Sequence, residues 1–152
     1  MFIGREEELN FLEDRYNSAD GQLVVLYGRR RVGKTELLRQ FCQDKEHIFY
    51  TCTEIIDEKQ LEAFSQRLLE KNHQAAKYIT RFSDWEQALL SISGLAKEKK
   101  IVVVIDEFPY MVKGNNAIPS ILQKLWDEVL KQSNVMLILC GSAMSFIEKE
   151  VL

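Results

Sequence analysis

The chain has 152 residues, with 20 Lys and Arg against 23 Asp and Glu, so its formal net charge is −3. This length suits one domain, and 46% hydrophobic with 28% charged residues is typical of a globular protein, which excludes a disordered tail. The near-neutral balance argues against a globally basic nucleic-acid-binding protein but leaves a local basic patch open.

The first half of the chain alternates between helical and extended patterns. Residues 9–16 place Leu and Tyr on one face of an N-terminal helix. A continuous apolar run at 23–27 predicts a strand covered on both faces, and a helix is predicted around 37–41. The run 47–53 mixes aromatic and polar residues, which is typical of an edge strand.

The second half continues this alternation. Two helices are predicted around 61–68 and 85–92, then a strongly apolar strand at 101–105. Another helix is predicted around 121–129, and the last strong strand covers 135–140. Strands that alternate with helices in this way indicate an α/β domain with a mainly parallel sheet.

The three cysteines, Cys42, Cys52 and Cys140, are odd in number and form no C-x-x-C pair. We therefore expect reduced thiols in a cytoplasmic protein, and neither a disulfide framework nor a zinc site. The first residues do not resemble a signal peptide, and no apolar run approaches the roughly 20 residues that cross a bilayer. The sequence predicts a protein without membrane contact.

A phosphate-binding pattern follows the first strand, because residues 28–35 read G-x-x-x-x-G-K-T. Glycines allow backbone N–H groups to approach phosphate oxygens closely, and the next helix points its positive end at them. Lys34 is suited to reach the β and γ phosphates, and the Thr35 hydroxyl to ligate Mg²⁺. The predicted nucleotide-binding residues are Gly28, Arg29, Arg30, Arg31, Val32, Gly33, Lys34, Thr35 and Glu36. An ordinary strand–turn–helix is the weaker alternative.

The three arginines, Arg29, Arg30 and Arg31, fill variable positions of this pattern. They either support phosphate binding, present a basic spot to another polymer, or simply form a solvated loop that raises the local potential. The solvated loop is the favoured interpretation.

The strand at 101–105 ends in two acids, Asp106 and Glu107. Carboxyl ends of parallel strands meet at the ligand crevice, so both acids are expected to face the phosphate loop. We assign Asp106 to the metal and Glu107 to the attacking water. The last strand is followed by Ser142, which fits a contact to the γ-phosphate or the water and a helix N-cap equally well.

These residues resemble the archaeal-type ATPase family of the AAA+/STAND group of P-loop NTPases. The resemblance rests on Phe2-Ile3-Gly4-Arg5-Glu6, the phosphate loop after Tyr27, the segment 106–110, and Gly141-Ser142 with 145–148, and it spans nearly the whole chain. It implies that Ile3, Gly4 and Arg5 lie near the adenine, that Glu107 is the catalytic glutamate, and that Ser142 is at the sensor-1 position.

The resemblance also implies a three-layer α/β/α sandwich with about four strands in the order 2-3-4-1. Family members are longer and carry a fifth strand, a helical lid, a winged helix and often a nuclease-like domain. We therefore expect residues 1–152 to be a P-loop ATPase core that is truncated at its C-terminus. Self-association through this core and contact with nucleic acid through the missing domains are left open.

The function predicted from the sequence is ATP hydrolysis with Mg²⁺, which drives a conformational switch or motor in a larger protein. Lys34, Glu107 and Ser142 are the expected catalytic residues, Thr35 and Asp106 the metal ligands, and ATP or ADP the ligand. Low turnover is expected for the isolated chain. The alternatives are a P-loop kinase acting on a small acceptor, and a module that binds nucleotide or nucleic acid without hydrolysis.

Overall fold

The computed structural model describes residues 3–27 and 33–141, with side chains described from residue 6 onward. Four parallel strands form one sheet: β1 (Gln22–Tyr27), β2 (His47–Thr51), β3 (Ile101–Asp106) and β4 (Val135–Gly141). Their order across the sheet is β1-β4-β3-β2, which confirms the predicted order. The two most apolar strands lie in the centre, where both faces of the sheet are covered.

Helices cover both faces of this sheet. In chain order they are α1 (Ile3–Tyr16), α2 (Lys34–Cys42), α3 (Asp57–Lys71), α4 (His73–Ala76), α5 (Trp85–Leu95), α6 (Phe108–Gly114) and α7 (Ile118–Glu128), with a 3₁₀ turn at Leu130–Gln132. Their arrangement confirms the predicted three-layer α/β/α sandwich.

The two helical layers follow from the alternation of side chains along the strands. Val102 and Val104 belong to the core beneath α1 and α2, which includes Leu12 and Leu38. The intervening odd-numbered residues of β3 belong to the larger core beneath α3, α5, α6 and α7. Because successive strand residues point to opposite faces, one continuous apolar run supplies both cores.

Helix α6 is an element that the sequence analysis did not predict. Pro109 is in its first turn, where the missing N–H costs nothing, and Phe108 and Met111 are buried. Strand β2 also ends earlier than predicted, at Thr51, because the Thr53 carbonyl instead accepts a hydrogen bond from Gln60 Nε2 at 2.8 Å.

The cysteines are free and buried, as predicted for reduced thiols. Among the helices of residues 3–27 and 33–141, none combines the length and the apolarity that crossing a bilayer requires. Trp85 packs in the core, with its ring centroid 5.7 Å from that of Phe64.

Gly21, between α1 and β1, is predicted to tolerate no side chain. Its N–H donates to the Lys131 carbonyl at 2.9 Å, and a Cβ would lie 2.3 Å from the Leu130 carbonyl oxygen. We expect Gly21→Ala to lower the free energy of unfolding by about 1–3 kcal/mol, as forced overpacking does. Urea denaturation measures this change.

The matched control is Gly94→Ala in α5, where a Cβ would meet nothing within 4 Å. This control is expected to leave stability unchanged or raise it by up to about 1 kcal/mol, since alanine favours helix more than glycine does. Equal unfolding midpoints for Gly21→Ala and the wild type would contradict the prediction.

Candidate functional site

The carboxyl ends of β1, β3 and β4 and the start of α2 form one edge of the sheet. Gly33 is the N-cap of α2, with φ 79°, and its carbonyl accepts the N–H of Leu37 at 2.9 Å. This left-handed backbone favours glycine over residues with a Cβ. The second glycine of the phosphate-binding pattern therefore turns the chain into α2, so that Lys34, Thr35 and Glu36 form its first turn.

The side chains of Thr35 and Asp106 contact each other across this edge. Thr35 Oγ1 donates to Asp106 Oδ2 at 2.7 Å, although the residues are 71 positions apart in sequence. Asp106 is only 4% exposed. The structure therefore brings together the two residues that the sequence analysis assigned to a metal ion.

The donor atoms of this pair fit Mg²⁺. A hydroxyl and a carboxylate are hard oxygen ligands, and Mg²⁺ is usually held by one or two carboxylates together with waters and substrate phosphates. No cluster of three or more His, Cys, Asp or Glu that could hold a metal occurs within residues 3–27 and 33–141. Thr35 and Asp106 thus offer two oxygen ligands of the kind that Mg²⁺ takes in proteins.

Glu107 follows Asp106 in a strained backbone conformation, with φ 55° and ψ 40°. The left-handed region costs a non-glycine residue about 1–2 kcal/mol. The Glu107 N–H donates to Asp106 Oδ1 at 2.9 Å, so the Asp106 carboxylate stabilises this turn. Strain of this kind often occurs at functional sites, where it directs a side chain away from the regular element.

Two thiols beside Asp106 were missed by the sequence analysis. Cys140 is on the neighbouring strand β4, and the N–H of Cys52 donates to the Asp106 carbonyl at 2.9 Å. Burial raises the pKa of Cys140 to about 12 and also raises the pKa of Cys52, so both stay protonated at neutral pH. The sequence could have predicted this proximity, because both cysteines lie at the carboxyl ends of strands. The same argument identified Asp106.

The remaining predicted site residues lie outside what the structure describes. Residues 28–32 of the phosphate loop (Gly28, Arg29, Arg30, Arg31 and Val32) and Ser142 are outside the described ranges. Ile3, Gly4 and Arg5 begin α1, but their side chains are not among those described. The structure thus brings together the first turn of α2 and the end of β3. The chemical roles assigned to all of these residues stay predictions.

Comparison with protein families gives a match over nearly the whole chain. A family model described as an ATPase domain predominantly from Archaea matches residues 2–152. The uncharacterized protein MJECL04 of Methanocaldococcus jannaschii is 34% identical over all 152 residues, which cover 32% of that protein. The uncharacterized ATP-binding protein MJ0423 of the same organism is 52% identical over 46 residues, 30% of this chain and 78% of that protein. The chain thus spans about a third of the length of the first relative.

Solved structures share the fold. The Walker-type ATPase PABY2304 of Pyrococcus abyssi superposes with a TM-score of 0.67 at 24% identity, covering 95% of this chain and 47% of that one. Cdc6p of Pyrobaculum aerophilum superposes with a TM-score of 0.63 at 15% identity, and the match covers 99% of this chain and 44% of that one. The ORC1 protein of Aeropyrum pernix, which was solved in complex with DNA, superposes with a TM-score of 0.60 at 16% identity. This match covers 97% of this chain and 43% of that one.

Proposed function

This chain belongs to a family of ATPase domains found predominantly in Archaea, and from that premise we propose that it binds ATP with Mg²⁺ and hydrolyses it. The observation that carries the proposal is the 2.7 Å hydrogen bond between Thr35 and Asp106. It joins the end of the phosphate-binding pattern to the first acid of the acidic pair, and these are the two parts that such a reaction needs side by side.

Binding is assigned to the turn before α2 and to Lys34. The N–H groups at the start of a helix favour an anion, and Lys34, as the first residue of α2, adds a positive charge there. Thr35 and Asp106 would hold Mg²⁺, which when bound offsets negative charge on the β and γ phosphates. These groups lower the free energy of the transition state most if they are in place before the reaction.

The reaction itself is assigned to Glu107. Its carboxylate orients a water molecule in line with the bond between the γ phosphorus and the β–γ bridging oxygen, and accepts a proton from that water. The oxygen of water forms the new bond to phosphorus and the bridging oxygen leaves with ADP, so the products are ADP and inorganic phosphate. The rigid turn at Glu107 supports this role because it directs the carboxylate from a fixed backbone position.

The biological setting proposed is a larger AAA+/STAND-type protein in which hydrolysis drives a conformational switch or motor. This is supported by the chain covering 32% of the MJECL04 protein. Contact with nucleic acid is proposed through parts of such a larger protein, because ORC1, which shares the fold, was solved in complex with DNA. Self-association through the core is proposed as the second partner interaction.

Substitution of Thr35 tests the metal site. We expect Thr35→Ala to need about tenfold more Mg²⁺ for half-maximal ATP binding, because one ligand oxygen is lost and bonds to charged groups contribute about 1.5 kcal/mol or more. Thr35→Ser keeps the hydroxyl and is the matched control, with a Mg²⁺ requirement like that of the wild type. Nucleotide binding titrated against Mg²⁺ measures both, and an equal requirement in Thr35→Ala and the wild type would contradict the assignment.

A further inference from the structure

Helix α6 is directly joined to the proposed catalytic glutamate. Its first residue, Phe108, directly follows Glu107. The Glu107 carbonyl accepts the N–H of Tyr110 at 3.0 Å, so the strained turn and the first turn of α6 form one unit. A side chain that holds the far end of α6 therefore also holds the backbone from which the Glu107 carboxylate projects.

Two side chains from the segment after β2 hold that far end. Lys113 forms an ion pair with Glu54, but both side chains are largely exposed, at 67% and 61%, and such pairs contribute little. Asn115, one residue past α6, donates from Nδ2 to Asp57 Oδ2 at 3.3 Å in a partly buried contact. Its Oδ1 accepts the N–H of Ala117 at 3.0 Å, which sets the orientation of the amide.

Asp57 also has a hydrogen-bond partner outside α6. Its Oδ1 accepts a hydrogen bond from Trp85 Nε1 at 2.8 Å, and Trp85 is 3% exposed. It begins α3, whose buried Gln60 bonds both Thr53 and the hydroxyl of Tyr50 on β2. The Asp57 carboxylate is therefore a rigid acceptor, anchored to the sheet on one side and to α5 on the other.

We propose that Asp57 is a positioning residue for the hydrolytic reaction: through Asn115 it holds α6, and α6 holds the turn of Glu107. This inference rests on the proposed function, because it assigns Glu107 to the water. Asp57 acts on the orientation of the Glu107 carboxylate and not on the nucleotide, so its loss should change kcat and leave the Kd for ATP as it is.

The test is Asn115→Asp in the complete 152-residue chain. The new carboxylate still accepts the Ala117 N–H but faces the carboxylate of Asp57, so the end of α6 is repelled. We expect kcat to fall by about 10- to 100-fold, as misplacement of a reacting group does, with an unchanged Kd for ATP. In the nucleotide-free protein, exchange of the Tyr110 amide hydrogen should become about 5- to 10-fold faster, as expected for the loss of one hydrogen bond.

The double variant Asp57→Asn with Asn115→Asp exchanges the donor and the acceptor of this hydrogen bond. It should restore the wild-type kcat and the wild-type rate of Tyr110 amide exchange. The amide introduced at 57 donates to the carboxylate at 115 and still accepts from Trp85, while that carboxylate still accepts from Ala117. Ser65→Ala is the control for general destabilisation. Ser65 lies in the same helix as Asp57, and its hydroxyl oxygen accepts the Phe82 N–H at 3.0 Å. The substitution therefore removes a buried hydrogen bond that does not involve α6. Its kcat and Tyr110 exchange should match the wild type.

Wild-type kcat and wild-type Tyr110 exchange in Asn115→Asp would overturn the proposal, as would no recovery in the double variant or an equal loss in Ser65→Ala. If Asn115→Asp does not fold, Asp57→Asn alone, which keeps the bond from Trp85, takes its place with the same expectations. Equal hydrolysis by the wild type and Glu107→Gln would contradict the proposed function instead. Tyr110 exchange would then still decide whether Asp57 holds α6.

Discussion

Glu107→Gln is expected to lower the rate of ATP hydrolysis by about 10²- to 10⁴-fold, the usual contribution of a general base, with an unchanged Kd for ATP. The amide has the same size as the carboxylate and leaves the backbone turn intact, but it accepts no proton from water at neutral pH. Phosphate release at saturating ATP measures the rate, and equilibrium titration with ATP measures the Kd.

The matched control for this prediction is Glu128→Gln, the same change on an exposed residue at the end of α7. It should hydrolyse ATP like the wild type. Undiminished hydrolysis in Glu107→Gln would remove Glu107 from the reaction. A large rise in its Kd would instead place Glu107 in nucleotide binding, contrary to the role derived from its strained turn.

Lys34→Ala is expected to weaken ATP binding by about 10- to 100-fold, because charge-assisted hydrogen bonds contribute about 1.5–3 kcal/mol. Lys34 is the first residue of α2, at the same edge as the Thr35–Asp106 pair, where the phosphates are proposed to bind. Calorimetric titration measures the Kd directly. Thermal unfolding gives a second measure, since a ligand that binds the folded state stabilises it according to its concentration relative to Kd.

Lys97→Ala is the control for Lys34→Ala, because Lys97 is exposed after α5 and outside the proposed site. It should bind ATP like the wild type. Unchanged ATP binding in Lys34→Ala would contradict the phosphate-binding role that the sequence pattern predicts.

The two variants also separate the proposed ATPase from its alternatives. A kinase would transfer phosphate to an acceptor and not to water. The wild type would then release no inorganic phosphate, and Glu107→Gln could not lower that release. A non-hydrolysing binding module would lose affinity in Lys34→Ala and show no turnover in any variant. Loss of binding in one variant and loss of turnover in the other is expected only of the ATPase.

Much of the fold could be predicted from the sequence because its signals are local. The apolar runs at β3 and β4 are continuous, which is typical of strands covered on both faces, and every residue of these two strands is buried. The same prediction for β1 was wrong, because β1 lies at the edge of the described sheet and Val24 is the one buried residue of this strand. Helix α6 could not be predicted in this way, because it has seven residues, and so short a stretch does not show a helical period clearly. Burial of Phe108 and Met111 stabilises it, and that burial depends on distant parts of the chain.

In the candidate site, too, some features follow from local sequence patterns and others from tertiary contacts. The sequence by itself determined which residues are candidates for phosphate and metal binding, since the spacing of Gly33, Lys34 and Thr35 and the position of Asp106 at a strand end are local patterns. Only the tertiary structure decided that Thr35 and Asp106 touch, that the Cys52 N–H bonds the Asp106 carbonyl, and that Asp57 meets Asn115. Those contacts join residues far apart in the chain, and their geometry follows from strand order and helix packing, which no local pattern encodes.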